Sequence, residues 1–356
     1  MNGQPEHESE NVPSSSVDSE PVESIDGADV LASSHQALDD WTSESSPAAI
    51  PNQVTAWDQH SPLAPLPEQP ERPMFQQWYV PPPRPPVRIP HFGHLGILLI
   101  FALSGVFAAG VLMQLAVHYH LFGVKSLQSA LLDMDIHYAL GSEAVLYFVM
   151  FGASLLFFPM IWHRGFFEGI HWNGLTALRL RKQLFFTAGI CFVLALVNGL
   201  LLPGPKNAPI DKIFRVPGAA WMLFAFGITL APFFEEMIFR GFVLPSMCTA
   251  CDWIHEQFMH VPIRPLDEHG NPQWSLAAMV IGSIATSLPF AGMHAAQTGY
   301  SLGPFILLVC VSLALCWARL STRSLAASVL VHASYNFLLF SLMMLGTSGF
   351  RHMDKL

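Results

Sequence analysis

From about residue 95 onward, apolar residues fall in long continuous runs, without the two-residue alternation of a half-buried strand. A helix needs roughly 20 apolar residues to cross a bilayer. Runs at 95–117, 143–162, 184–202, 219–246, 275–297, 303–318 and 324–345 approach or meet that length. The expected fold is all-α, a polytopic transmembrane helix bundle of about seven spans. The sixth run is the shortest and is interrupted near its start by Gly303-Pro304. A weaker, mixed stretch from Leu127 to Leu140 suits an interfacial helix. The longest polar insertion runs from Thr249 to Trp274, and within it Asp252 to His260 suits a helix lying along the surface. Pro262, Pro265 and Pro272 prevent that insertion from being one long helix.

Composition divides the chain into an acidic tail at 1–90, a membrane domain at 91–346 and a short C-terminal tail at 347–356. Of the net charge of −9, 14 acidic against 3 basic residues precede the membrane domain, which leaves the domain itself near neutral. No nucleic-acid partner is expected from that balance. The tail is rich in Ser, Glu, Asp and Pro and cannot bury enough apolar surface to offset the entropy of ordering, so disorder and a partner-binding role are expected of it. It closes on Tyr79 to Pro90, expected to be a polyproline II stem that serves as a semi-rigid spacer or as a docking site for a proline-binding module. Residues 1–30 lack the basic start and apolar core of a secretory signal, so the N-terminus is expected in the cytoplasm. With that orientation ten basic residues fall in inside segments and six in outside ones, as the positive-inside rule requires.

Charge inside the runs is where chemistry is sought, because ionisable groups at membrane depth are costly. From Ala219 to Met247 the only charged residues are Glu235, Glu236 and Arg240. Glu236 and Arg240 stand four apart on one helical face in the order that favours an ion pair. Glu235 is turned about 100° away by the helical period, so it is left without a local counter-charge. Desolvation raises a carboxyl group toward neutrality and makes it usable as a general base. The fifth run ends in Phe290-Ala291-Gly292-Met293-His294, and the seventh carries His332 and Asn336 four apart on one face. An imidazole and a carboxamide side by side can donate to a developing oxyanion, or the imidazole can ligate a metal; equally, two such polar groups can hold helices together. His294 lies more than two turns past the middle of its run, whereas Glu235, His332 and Asn336 lie near the middles of theirs. Cys248 and Cys251 followed by His255 and His260 are too closely spaced for the usual zinc finger and read as membrane-edge residues.

In chain order these patterns are E-E-x-x-x-R, F-x-x-x-H and H-x-x-x-N, and they resemble the intramembrane protease family that joins type II CAAX prenyl endopeptidases with Abi-type and bacteriocin-immunity proteins. The resemblance covers roughly 215–345. It implies an intramembrane endopeptidase in which Glu235 with His294 activates water and His332 with Asn336 stabilises the oxyanion. It assigns supporting roles to Glu236, Arg240 and Phe290. It also admits Zn²⁺ held by Glu235, His294 and His332, with an open fourth position. The substrate would be a membrane-associated peptide or protein. The location would be that of a multi-pass membrane protein, in the plasma membrane if the source is bacterial. Two other classes suit the same residues: a non-enzymatic immunity or scaffold protein, and a proton-coupled transporter, which would need an internal repeat that the sequence does not display.

Overall fold

The computed structural model describes residues 87–121, 136–202, 209–214, 216, 218–268 and 270–351. The expected disordered tail and polyproline stem, apart from Val87 to Pro90, lie outside these residues, as do positions 127–135 of the weak amphipathic stretch and positions 352–356. Among the described residues the secondary structure is helical. The long helices are α1 (Phe92–His118), α2 (Ile136–Trp162) and α5 (Arg181–Leu201), with the short α3 (Phe166–Gly169) and α4 (Gly174–Arg179) between the last two. After α6 (Pro209–Phe214) come α7 (Ala219–Ile228), α8 (Leu230–Glu236), a π-helical segment (Met237–Val243) and α9 (Leu244–Met259). The remaining helices are α10 (Leu276–Met293), α11 (Leu302–Thr322) and α12 (Leu325–Gly346). Six are long and apolar enough to cross a membrane, and α7 with the helix from Leu230 to Met259, counted as one span bent by 41°, makes a seventh. The chain is a multi-pass membrane protein.

Burial follows from the solvent these helices expect. On α1, Leu99, Ile100, Leu103, Val106 and Phe107 are all exposed, as lipid-facing side chains should be, while Leu98 is buried. Helices approach closely where a side chain is missing. A Cβ on Gly105 of α1 would stand 2.8 Å from the Leu146 carbonyl oxygen of α2, so only glycine fits that crossing. Inside, the rings of Phe158, Trp162, Phe166 and Phe242 pack on one another, the tightest pair being Phe158 with Trp162 at 4.5 Å between centroids. Stacked and tilted packing of this kind adds to what area burial alone supplies.

The fourth run departs most from expectation. It breaks at Thr229, where φ −120° and ψ −80° leave the helical region. Pro232 has no amide hydrogen to offer the Ile228 carbonyl, so the helix is weakened just there. Beyond Glu236 the turn widens to π geometry, a form that recurs at functional sites. The polar stretch from Asp252 is helical, but it continues the fourth span as α9 rather than forming a separate surface helix. Its buried acids permit this because both are partnered: Glu256 accepts from Arg88 at 2.5 Å, and Asp252 accepts from the Ser275 amide at 2.9 Å. All three prolines of the insertion follow the helix end. The sixth run is a full 21-residue helix. Pro304 falls in its first turn, where an amide hydrogen has no intrahelical acceptor.

Candidate active site

Glu236 is held by three hydrogen bonds deep in the bundle. Its side chain is wholly buried, and it accepts from Arg240 Nη1 at 2.8 Å, from the Ser328 hydroxyl, and from His332 Nδ1 at 2.9 Å. The i, i+4 ion pair survives the π turn. Arg240 also donates to Ser312 on α11, to the carbonyl at 3.0 Å and to the hydroxyl at 2.7 Å. Its guanidinium lies 4.5 Å from the centre of the Phe290 ring. That is within the range of a cation–π contact. One guanidinium thus joins the fourth span to α10 and α11.

Glu235 differs in every respect. Its side chain is 12% exposed, and its buried Oε2 has no hydrogen-bond partner among the described residues. The basic group facing that oxygen is His332, whose Nε2 stands 3.9 Å away. The imidazole therefore lies between two carboxylates, one on each ring nitrogen. A carboxylate paired with arginine can only accept, so the proton of the Nδ1 bond belongs to His332, and Nε2 is the atom turned toward Glu235.

His294 and Asn336 are anchored by backbone. His294 is the C-cap of α10, and its Nδ1 donates to the Phe290 carbonyl at 2.9 Å. That leaves Nε2 as an acceptor in the neutral ring. The Phe290 ring lies between the two histidines, 5.1 Å from His294 and 6.0 Å from His332, centroid to centroid. Asn336 Nδ2 donates to the Gly227 carbonyl at 2.7 Å, next to the break at Thr229. The bond satisfies a carbonyl at the end of α7 and uses one of the two amide hydrogens of Asn336.

Glu143 stands outside the sequence motifs and yet belongs to this neighbourhood. It lies on α2 close enough to interact electrostatically with both Glu235 and His294. Tyr147 donates to it at 2.8 Å and stacks on Phe234, the residue before Glu235, at 4.6 Å. The available signal was that Glu143 is the one acid of its run. At the run's first position it reads as a boundary residue rather than as a group inside the membrane.

Glu235, His294 and His332 do not close into a metal set: among the described residues no three His, Cys, Asp or Glu side chains are placed to hold an ion. As placed, they can serve as acid, base and hydrogen-bonding groups.

A fully committed Glu236 beside an uncommitted Glu235 that faces an imidazole is an arrangement suited to proton transfer inside a membrane helix bundle. Residues 217–338 match the family described as type II CAAX prenyl endopeptidase Rce1-like. The matched segment, which holds Glu235, Glu236, Arg240, Phe290, His294, His332 and Asn336, is similar to this CAAX protease family, a family of peptidases. Glu143 and Tyr147 precede it. No curated protein and no solved structure matches the chain.

Proposed function

We propose that the protein is an intramembrane endopeptidase that hydrolyses a peptide bond of a membrane-associated peptide or protein. The observation that carries this reading is the contrast at the fourth span, where Glu236 accepts three hydrogen bonds while Glu235 Oε2 is buried, accepts none among the described residues and faces His332. Glu235 takes a proton from water as the oxygen attacks the scissile carbonyl, with His294 Nε2 accepting a second hydrogen bond from that water. Negative charge then grows on the carbonyl oxygen. Asn336 donates its remaining amide hydrogen to it, and His332, oriented by its Nδ1 hydrogen bond to Glu236, is the second group assigned to stabilise it. Collapse breaks the C–N bond, and the departing nitrogen takes the proton from Glu235.

The family name directs the first substrate to try, a peptide whose C-terminal cysteine motif is prenylated. The test is purified full-length protein in vesicles, given prenylated and unprenylated membrane peptides, with products identified by mass. Cleavage by the wild type and none by Glu235→Ala supports the proposal. Equal cleavage by both overturns the role of Glu235, and no cleavage of any peptide by either favours the non-enzymatic scaffold reading.

A further inference from the structure

A second polar site lies at the end of the bundle where α2, α9 and α11 finish and α5, α10 and α12 begin. Three contacts bring the loops of that end together. The Ser324 hydroxyl donates to the Asn173 carbonyl at 2.8 Å, Arg164 Nη1 donates to Asn271 Oδ1 at 3.5 Å, and Arg323 pairs with Asp267 at 3.4 Å. Between them is a cavity of about 360 Å³ whose lining includes His171, Asp267, Asn271, Arg319, Ser321 and Arg323.

Arg319 is the unusual member. It is 3% exposed, it makes no hydrogen bond or ion pair among the described residues, and its Nε is buried without an acceptor. The group of opposite polarity that it senses is the Cys248 thiol, which is not a counter-ion at neutral pH. Arg323 has Asp267, and Asp267 also accepts from the Asn271 amide at 2.8 Å. His171 Nε2 and Arg164 Nε are likewise buried without partners among the described residues. A buried cation lacking a counter-charge is strongly unfavourable, and water filling the cavity would satisfy its hydrogen bonds but not its charge.

We propose that this cavity binds a phosphate-class oxyanion, with Arg319 as its principal ligand and His171 and Ser321 as neutral hydrogen-bond partners. Guanidinium is the side chain suited to that planar, multi-bond recognition. Arg319 lies in the last turn of α11. That is the level where phospholipid headgroups meet a spanning helix. The ligand is therefore either a lipid phosphomonoester or free phosphate. The site lies away from His294: Met279, in the first turn of α10, lines it, whereas His294 caps the opposite end of the same helix. The rise of an α-helix puts those two ends roughly 20 Å apart.

The experiment uses the full chain purified without phosphate, followed by thermal unfolding. One arm titrates inorganic phosphate in detergent. The other compares nanodiscs of phosphatidylcholine alone with nanodiscs that contain phosphatidic acid. The wild type should unfold at a higher temperature in at least one arm, saturably, as a ligand of the folded state requires. A response to phosphate identifies a soluble anion, and a response to phosphatidic acid alone identifies a lipid headgroup. Arg319→Met should weaken the apparent affinity by about tenfold or more, the loss of a charge-assisted contact. If Arg319→Met does not fold, Arg319→Lys takes its place and should bind several-fold more weakly. No response of the wild type in either arm, or an undiminished response in the variant, overturns the proposal.

Discussion

Replacing either adjacent glutamate by glutamine removes one charge and almost no volume, yet the two substitutions should behave oppositely. Glu236→Gln leaves Arg240, itself completely buried, without its counter-charge, and gives His332 Nδ1 a weaker acceptor. Breaking a buried pair by removing one partner costs about 3–5 kcal/mol. The remaining bonds from Arg240 to Ser312 do not restore the charge. At roughly 2–4 °C per kcal/mol for a domain of this size, the unfolding midpoint should fall on the order of 10 °C. Glu235 accepts no hydrogen bond on its buried oxygen among the described residues, and His332 faces it at the longer distance of 3.9 Å. Glu235→Gln should accordingly shift stability by less than about 1 kcal/mol. The assay is thermal unfolding of the full chain in one detergent, with both variants and the wild type side by side. Equal destabilisation by the two variants would refute the assignment of Glu236 to structure and Glu235 to chemistry.

Other variants probe the helix break and the loop end of the bundle. Asn336→Ala leaves the Gly227 carbonyl unpaired at the break. The cost should be about 1–3 kcal/mol, measurable as a lower midpoint of chemical unfolding. Gly227→Ala places a Cβ 2.9 Å from the Phe340 ring. That overpacking should cost about 1–3 kcal/mol, with Phe340→Leu restoring part of the loss in a double-mutant cycle. His171, outside the spans, is held down to about 3 by burial first and then by Arg319, Arg164 and Arg323, against the opposing pull of Asp267. Between that value and the ordinary 6.5, the unfolded chain binds the proton that the folded chain refuses. The contribution to stability should be complete above the ordinary value and be lost as pH falls through that window, and His171→Gln in phosphate-free buffer should flatten the slope.

Local relations were legible in the sequence and distant ones were not. The Glu236–Arg240 pair needs only a four-residue spacing, and α1, α2, α5, α11 and α12 needed only length and apolarity. The break at Thr229 and the π turn after Glu236 leave the apolar count unchanged, so one run concealed two helices. Nor does a sequence show that His332 would bridge Glu236 and Glu235 from α12, or that Asn336 would reach back to Gly227. Glu143 comes from a different helix, upstream of the matched family segment. The Arg319 cavity was hidden for another reason: its walls are mostly loop residues, and an arginine near a helix end ordinarily reads as solvated.

The most direct test of this chemistry is the rate of peptide-bond hydrolysis by Glu235→Gln under conditions where its unfolding midpoint equals that of the wild type. A loss of at least about 100-fold is expected, the scale of a general base. A folded Glu235→Gln protein that cleaves at the wild-type rate would contradict the role given to Glu235.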